Sequence, residues 1–501
     1  MYRTTKHLAF FLTILLCVSG CSSHKSGGGD VAGLNTFVAS NAANGGGANQ
    51  IDASDSDIPE ILDELAGGNT VRVESILEGD ETGSDAALAR SERGRIAQIQ
   101  GEPKKSLPEF KAAVDKIKEF EERARISASD VGSHAAALVV NDNVIPYEPA
   151  GFERVLVYHF QAMNYLMEGN LEGAGVEVRR ANAEQERALK EHEAELAEAE
   201  KDASEKGFKP SDFMAGINQE LGDSKAVAAL VKNSFQNAYT FYMSGVVHEL
   251  MNEQNDAYID YKKALEIAPA NEVIQKDVAR LAKALSMGDD ITRYSKSFPR
   301  VFAAATGRDS SKSEVIVLFE DGLVPEKTSL SFPIPIPIPK APGLTSISIP
   351  ILRASVAPVQ PLVLKVDGGD VGRTERICAI DALAVKAYEE SAPAMITRQV
   401  LRAAIKGAAS SLASEYGGGW AGAAVSMYNV LTENADLRSW RSLPQNAQVL
   451  RAEVDPGSTL QLLHDGTGAS GSLTIPKEAG KRVIVRATRV GSRLFIQNVT
   501  V

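Results

Sequence analysis

One spacing of small and large residues recurs three times in the first half of the chain. A small residue is followed by another after twelve positions, by a large residue after four more, and by alanine after a further three. The sets with this spacing are Gly94, Ser106, Phe110 and Ala113; Ala162, Ala174, Val178 and Ala181; and Gly245, Ala257, Tyr261 and Ala264. Two antiparallel helices pack closely only where small side chains face each other, and a large side chain then fills the space beside the crossing. The spacing therefore predicts three helix hairpins.

Each set straddles a short polar turn, and the helical pattern extends from Ile58 to about Leu285. The third set continues to Pro269, which would end the second helix of its pair. These sets resemble the tetratricopeptide repeat, a helix hairpin of about 34 residues. The resemblance implies a solenoid that presents a concave surface to protein segments. The alternative is a group of antiparallel hairpins without that repeat identity.

The first residues of the chain are typical of an export signal. Arg3 and Lys6 precede an apolar run, Leu8 to Val18, which is shorter than the roughly 20 residues that a membrane-spanning helix needs. A basic start, a short apolar core and small residues before a cleavage point characterise such signals. We therefore expect residues 1–20 to be removed.

The end of this signal, Val18-Ser-Gly-Cys21, resembles the lipobox of bacterial lipoproteins. The resemblance implies that Cys21 becomes the acylated N-terminus, carrying diacylglycerol and palmitate. Ser22 and Ser23 follow, where an aspartate would suggest retention in the inner membrane, so the resemblance favours the periplasmic face of the outer membrane. The alternative is an ordinary signal peptide with a chance cysteine.

The charge and the cysteines fit an exported body. A net charge of −12 gives no electrostatic footprint for nucleic acid and no broad basic face for anionic lipid, so the lipid on Cys21 would supply the membrane anchor. Cys17 would leave with the signal, and Cys378 then remains alone. We expect no internal disulfide, and we interpret Cys378 as a small buried hydrophobic residue.

The composition divides the mature chain into four parts. Residues 21–56 are rich in Ser, Gly, Asn and Ala and predict a flexible tether. Residues 57–290 predict the helical domain, in which the densely charged stretch 182–206 is typical of a solvated projecting helix. We expect a mixed strand and helix domain over 291–440 and a small β-sandwich or meander over 441–501. The fold class is thus α+β, a tetratricopeptide-like solenoid followed by a β-rich part with an inserted helical hairpin.

Hydrophobic alternation replaces the helical period after about residue 310. The expected strands are Val315–Phe319, Ser346–Leu352, Leu362–Val366, Gln448–Val454, Thr459–His464, Ser472–Ile475, Arg482–Thr488 and Arg493–Val499. Leu330–Pro339 alternates proline with isoleucine, which predicts an edge strand or an extended arm because proline cannot donate to a ladder. Helices are expected over Asp381–Glu390 and Ala394–Leu431.

Small residues dominate the second of these helical blocks, around Ala403–Leu412 and Gly417–Ala424. We interpret them as a tightly packed helical hairpin that bends at the glycines. A docking surface for a partner or for lipid is the alternative, since small-residue helices also pack closely in membranes. Charged residues such as Arg402 and Lys406 keep the run below spanning length.

No constellation for catalysis, cofactor or metal binding emerges. No histidine has a second histidine at ligand spacing, and His248-Glu249 begins like a zincin helix but has Asn252 where the second ligand would stand. Glycine patterns at 417–422 and 466–471 lack the strand and helix of a dinucleotide-binding turn. We therefore predict a protein that is not an enzyme and has no cofactor.

Several segments together resemble a family of tetratricopeptide lipoproteins from Gram-negative bacteria that has no established activity. They are Pro146–Arg154, Gly169–Leu171, Val178–Ala181, Thr432–Trp440 and Leu443-Pro444. The likeness would cover most of the mature chain.

The preferred hypothesis is a lipid-anchored scaffold or adaptor that binds envelope proteins through the repeat groove. Its candidate lining residues are Tyr158, Tyr165, Phe241 and His248. Other tetratricopeptide lipoproteins support barrel assembly, pilus biogenesis or cell-wall synthases, and the resemblance implies roles of that kind. The alternatives are a peptidoglycan- or glycan-binding module in the β-rich part and a structural component of an envelope assembly. The partner and the oligomeric state stay open.

Overall fold

A computed structural model describes residues 57–67, 83–128, 146–206, 222–336, 343–417 and 435–501. The expected signal, the lipidation site Cys21 and the whole of the expected tether lie outside these residues. Within these ranges, no helix combines the length and the hydropathy needed to cross a bilayer. The architecture is mixed, with helices in the N-terminal half and most strands in the C-terminal half, as the sequence predicts.

As far as residue 304, the regular elements of the described residues are all helices. They are α1 Asp57–Gly67, α2 Ala86–Ile99, α3 Pro103–Ala128, α4 Gly151–Met167, α5 Leu171–Lys206, α6 Ser224–Ala228, α7 Ala238–Leu250, α8 Gln254–Ile267, α9 Glu272–Ala284, α10 Gly288–Ser297 and α11 Pro299–Ala304. Helix α2 packs against α3, α4 against α5, and α7 against α8. The three helix pairs lie where the repeated spacing predicts them.

The residues of that spacing lie at the helix crossings and are buried. In the first pair, the Phe110 ring is so near Gly94 that a Cβ on this glycine would be 3.0 Å from it. In the third pair, a Cβ on Gly245 would be 2.6 Å from the Tyr261 ring, closer than real Cβ contacts. The glycines are therefore required by the close approach of the two helices.

In the part of the chain that the structure describes, the strands form two larger sheets and one ribbon. Their bounds are β1 Ser313–Asp321, β2 Lys327–Ile336, β3 Gly343–Leu352, β4 Leu362–Val366, β5 Gly369–Arg373, β6 Glu375–Ala379, β7 Asn446–Val454, β8 Thr459–His464, β9 Ser470–Thr474, β10 Arg482–Val490 and β11 Arg493–Thr500. The orders are β11-β10-β1-β7-β6, β5-β4-β8-β9 and β2-β3. Strands β1 and β10 are parallel, whereas the other pairs are antiparallel.

The two larger sheets form a β-sandwich around a shared apolar core. Val317 of β1, Leu450 of β7 and Val485 of β10 meet Leu364 of β4 and Leu462 of β8 there. Both sheets thus combine strands from before and after residue 440, although the sequence places 291–440 and 441–501 in separate domains. Alternation shows where a strand lies, but pairing partners far apart in sequence leave no local pattern.

The ribbon of β2 and β3 is protected at its edges by proline. Pro333, Pro335 and Pro350 stand opposite Ser346, Leu344 and Ser329, and these pairs are an even number of positions apart along the ladder. Because proline has no N–H, the main-chain nitrogens at these alternate positions must face away from the partner strand. The outer edges lack donors at these positions, which hinders addition of a further strand. The expectation of an edge strand at Leu330 is confirmed.

Helix α12, Ile380–Gly417, joins two segments that were predicted as separate helices. It continues through Pro393, which offers no N–H to the preceding turn. Thr397 Oγ1 donates to the Pro393 carbonyl at 2.9 Å. The bend expected at Gly417–Gly419 and the helix beyond it fall outside the residues that the structure describes.

Candidate functional site

The first helices of the three pairs, together with α9, turn one common face toward the five-stranded sheet. This inner face carries Arg95 and Gln98 on α2, His159 on α4, and Tyr239 and Glu249 on α7, all of them buried. Helix α4 also contacts β11, and α9 contacts β7. The face that a repeat solenoid would offer to a partner is here covered by the chain's own sheet.

One buried ion cluster joins the third helix pair to the sheet. Glu249 of α7 accepts hydrogen bonds from Arg451 of β7 at 3.0 Å and from Arg482 of β10 at 3.2 Å. The Arg451 guanidinium also lies 2.8 Å from Glu314 of β1 and 3.2 Å from Asp277 of α9.

The electrostatics of this cluster favour its charged form. Burial alone would raise the pKa of Glu249, but the nearby guanidinium groups of Arg451 and Arg280 outweigh burial and hold the pKa well below its usual value. Burial would likewise lower the pKa of Arg451, but the surrounding carboxylates raise it. Glu249 and Arg451 therefore depend on partners from the other layer, and removing one would leave an unpaired buried charge.

A second buried cluster joins the first helix pair to the sheet around Glu320 of β1. This carboxylate accepts hydrogen bonds from Arg95 at 2.7 Å, Arg486 at 2.9 Å, Thr488 at 2.8 Å and Tyr239 at 3.2 Å. Glu320 and the Arg95 side chain are fully buried. Burial opposes ionisation of Glu320, but the two arginines outweigh it and lower its pKa well below the usual range.

An irregular segment, residues 435–443, crosses the first two helix pairs; we call it the strap. Its Trp440 is 1% exposed and packs against Phe110 and Phe160, with ring centres 5.9 and 5.7 Å away. The Glu153 carboxylate accepts a hydrogen bond from the Trp440 amide at 3.2 Å. Sequence reasoning missed this contact, although Trp440 belongs to a segment that carries the lipoprotein resemblance.

A second carboxylate, Glu92 of α2, holds the strap by its main chain. It accepts hydrogen bonds from the amides of Arg441 at 2.6 Å and Ser442 at 3.2 Å. Burial raises the pKa of Glu92 to about 7, against the smaller opposing effect of these hydrogen bonds. The helix pairs thus bind the strap through two carboxylates, Glu92 and Glu153, and through the aromatic rings around Trp440.

The four side chains predicted to line a partner groove lie on α4 and α7, and the first two are half-buried. Tyr158 lines a groove between α3, α4 and α5, which we call the outer groove. It is bordered by Val114, Ile117, Lys118, Glu121, Arg154, Val157, Tyr158, Glu184 and Arg187. The Tyr165 ring packs over Gly173 at the start of α5, where an added Cβ would be 2.6 Å from the ring.

The other two predicted residues are more deeply placed. Phe241 is 7% exposed, and the Lys263 ammonium lies 5.2 Å from its ring centre. His248 is 5% exposed, and its Nδ1 is 2.6 Å from Glu253 Oε2. Partner binding by the four residues stays a prediction, with Tyr158 bordering the outer groove, which is shallow, with an open volume of about 10 Å³.

Three potential metal ligands meet at the turn between α7 and α8. His248, Glu253 and Asp256 each place one ligand atom within 4.8 Å of the others, although the sequence predicts no metal site. The spacing of histidines cannot detect them because two of the three groups are carboxylates. His248 Nδ1 is already hydrogen-bonded to Glu253, and its Nε2 is 3.7 Å from Asp260. The imidazole lies between two carboxylates, so a divalent cation would have to displace the Nδ1 contact.

Cys378 lies in β6 and is buried. Burial raises the pKa of its thiol to about 12, with a smaller contribution from Asp381. Because thiolate is the reactive form, this environment suppresses nucleophilic chemistry. The placement agrees with its interpretation as a small hydrophobic residue.

A pocket opens where several strands of the five-stranded sheet end; we call it the sheet-end pocket. It has an open volume of about 180 Å³. Its lining combines charged and amide side chains from the sheet with apolar side chains from the α6 region and from residues 355–360. Sequence reasoning missed it, because its walls come from six segments that lie far apart along the chain.

No family model matches the sequence, and no curated protein matches it. Among solved structures, the chain is similar to the crystal structure of MamA protein, at 12% sequence identity over 42% of this chain and 90% of that chain, with a TM-score of 0.18. A likeness at this level carries no inference about fold or function.

Proposed function

We propose that this protein is a non-enzymatic adaptor of the bacterial cell envelope, anchored to the periplasmic face of the outer membrane by lipid on Cys21. The observation that carries the adaptor role is the stack of three helix pairs with glycine and alanine at their crossings. Stacked helix pairs of this kind give extended surfaces that suit protein segments. We assign them to the tetratricopeptide type on the residues of the repeated spacing.

The partner surface that we propose is the outer groove, because the inner face is already covered by the sheet and the strap. Tyr158 offers a half-buried aromatic ring there, and aromatic side chains are enriched where proteins bind one another. Arg154, Glu184 and Arg187 surround it in a network of ion pairs. A fixed network of charges favours a partner of complementary pattern.

The adaptor role is tested by photo-crosslinking in intact cells. A photoreactive phenylalanine analogue at Tyr158 should give one dominant crosslinked species, whereas the same analogue at Val371, an exposed apolar residue of β5, should give none. Lys118→Glu at the rim of the groove should reduce the Tyr158 crosslink severalfold. Equal crosslinking from Tyr158 and Val371, or no effect of the Lys118 variant, would refute the assignment of this groove.

The lipid anchor has a separate test. Mass spectrometry of the native N-terminal peptide should show a processed, acylated Cys21, and Cys21→Ser should release the protein from the outer-membrane fraction. An unmodified thiol, or an uncleaved signal, would remove the anchor from the proposal and leave the adaptor surface to stand on the crosslinking result.

A ligand-binding role for the β-rich part is the second candidate, and the sheet-end pocket is the observation that favours it.

A further inference from the structure

The sheet-end pocket lies where strand ends and a helix start converge. Asp321 ends β1, and its neighbours across the sheet are Asn446 at the start of β7 and Arg489 near the end of β10. Helix α12 begins directly after β6, and its Asp381 faces the same space. Polar groups from four elements are therefore fixed by main-chain pairing around one opening.

The charges in this pocket differ in how they are satisfied. Asp321 is neutralised by an ion pair with Arg489 and also lies 3.6 Å from His464. Asp381, which is 6% exposed, accepts a hydrogen bond from Gln445 at 3.1 Å. The Arg376 guanidinium is exposed, and no hydrogen bond or ion pair links it to another residue in the part of the chain that the structure describes.

Two of these groups, Arg376 and Asp381, can each bind a ligand group of opposite charge. The Arg376 guanidinium offers several N–H donors to a carboxylate. Burial raises the pKa of Asp381, outweighing the opposing hydrogen bonds from Gln445 and the Ala382 amide and the smaller effect of the Arg376 charge, so a further cationic group beside this carboxylate would be favourable. A ligand carrying both charges would satisfy both residues.

The remaining wall is mostly apolar, with Ser355 and Gln360 as polar members. Val227 lies in α6 and Leu230 just after it, whereas Val356, Pro358 and Val359 lie in the segment after β3. Leu230 is 41% exposed and Val356 is 55% exposed, so large apolar side chains stand at this opening without cover. An apolar group bound between them would remove this surface from water.

We propose that the sheet-end pocket binds a small zwitterion with an apolar body, of the class of apolar α-amino acids. Its carboxylate pairs with Arg376, its ammonium group with Asp381, and its side chain packs against Leu230 and Val356. The volume of about 180 Å³ suits such a ligand, because pockets for drug-sized molecules are larger, roughly 300–1,000 Å³. The proposal does not rest on the adaptor role or on the lipid anchor.

Isothermal titration of the purified full-length protein in detergent tests the site with three related probes. L-leucine carries both charges, 4-methylpentanoate lacks the ammonium group, and 3-methylbutylamine lacks the carboxylate. We expect leucine to bind at least about tenfold more tightly than either analogue, since one charge-assisted hydrogen bond accounts for a factor of this size. Failure of leucine to bind, or equal binding of either analogue, would overturn the proposal.

Two arginine variants assign the contact. Arg376→Gln should weaken leucine binding at least about tenfold and leave the binding of 3-methylbutylamine unchanged. Arg373→Gln is the matched control, because Arg373 is an exposed arginine of the adjacent β5 that pairs with Asp465 outside the pocket lining. Equal leucine affinity of the two variants would refute the role of Arg376. Circular dichroism of both variants verifies that the fold is retained.

Discussion

Replacing Glu320 by glutamine removes the charge that holds two buried arginines between the helices and the sheet. The side chain keeps its shape, but Arg95 and Arg486 then face each other without a counter-charge in a site that water does not reach. Breaking a buried ion pair in this way costs about 3–5 kcal/mol. Because two guanidinium groups lose their partner, we expect a value at the upper end of that range.

Urea unfolding at pH 7 measures this cost, with circular dichroism and tryptophan fluorescence as independent signals. Asp115→Asn is the matched control: it removes one acid from an exposed pair with Lys111 and should change the free energy of unfolding by less than about 0.5 kcal/mol. Adding Arg486→Met to Glu320→Gln should cost less than the two single changes together, with a coupling of roughly 1–3 kcal/mol. A Glu320→Gln protein within about 1 kcal/mol of the parent would refute the reasoning.

Three further expectations follow from individual side chains. The folded protein holds the Glu92 proton more tightly, with a pKa of about 7 against 4.5 normally. The contribution of this group to the free energy of unfolding is therefore greatest below pH 4.5 and falls by about 3 kcal/mol as the pH rises through 7. Urea titrations from pH 4 to 8 should show this decline, and Glu92→Gln should remove it. Gly245→Ala should destabilise the protein by about 1–3 kcal/mol in thermal unfolding because its Cβ meets the Tyr261 ring, whereas Gly288→Ala, with open space around it, should be nearly neutral; equal melting temperatures would contradict the close crossing. The Cys378 thiol should react with iodoacetamide at pH 8 only after denaturant is added, and rapid labelling of the native protein would show that it is not buried as described.

The helix pairs could be predicted from the sequence because steric limits at a helix crossing act over short distances along the chain. Gly245 and Tyr261, for example, lie on the two helices of one pair, which a single turn separates. Their residue types follow from the contact between these helices. Most strands could be located for a similar reason, since alternation is local. Strands β5 and β6 were missed because neither alternates: β5 is largely exposed, and the buried residues of β6 are consecutive.

The sheet order and the buried ion clusters could not be predicted in the same way. Strand β1 pairs with β10, which lies far later in the chain, and no residue near β1 specifies that partner. One signal was present, however: Arg486 stands inside the apolar run Val483–Ala487, and a charged residue in a buried strand requires a buried partner. The sequence indicates that such a partner exists but does not identify it as Glu320.

The placement of the partner groove was the weakest part of the sequence interpretation. Tyr158 and His248 occupy comparable aromatic or polar positions on α4 and α7, yet one borders the outer groove and the other is buried against Glu253. The difference arises because His248 turns toward the second helix of its own pair, where Glu253 and Asp260 meet its imidazole, and the helical pattern alone does not show this.

Amide hydrogen exchange of the whole protein tests most directly whether the inner face is closed by the chain's own sheet. If the layers form one cooperative unit, the slowest amides of α2 and α7 should exchange with the same free energy of opening as those of β1 and β10. Opening of these helices at a free energy several kcal/mol lower, while the sheet stays protected, would contradict a closed inner face and return it to consideration as the surface that binds a partner.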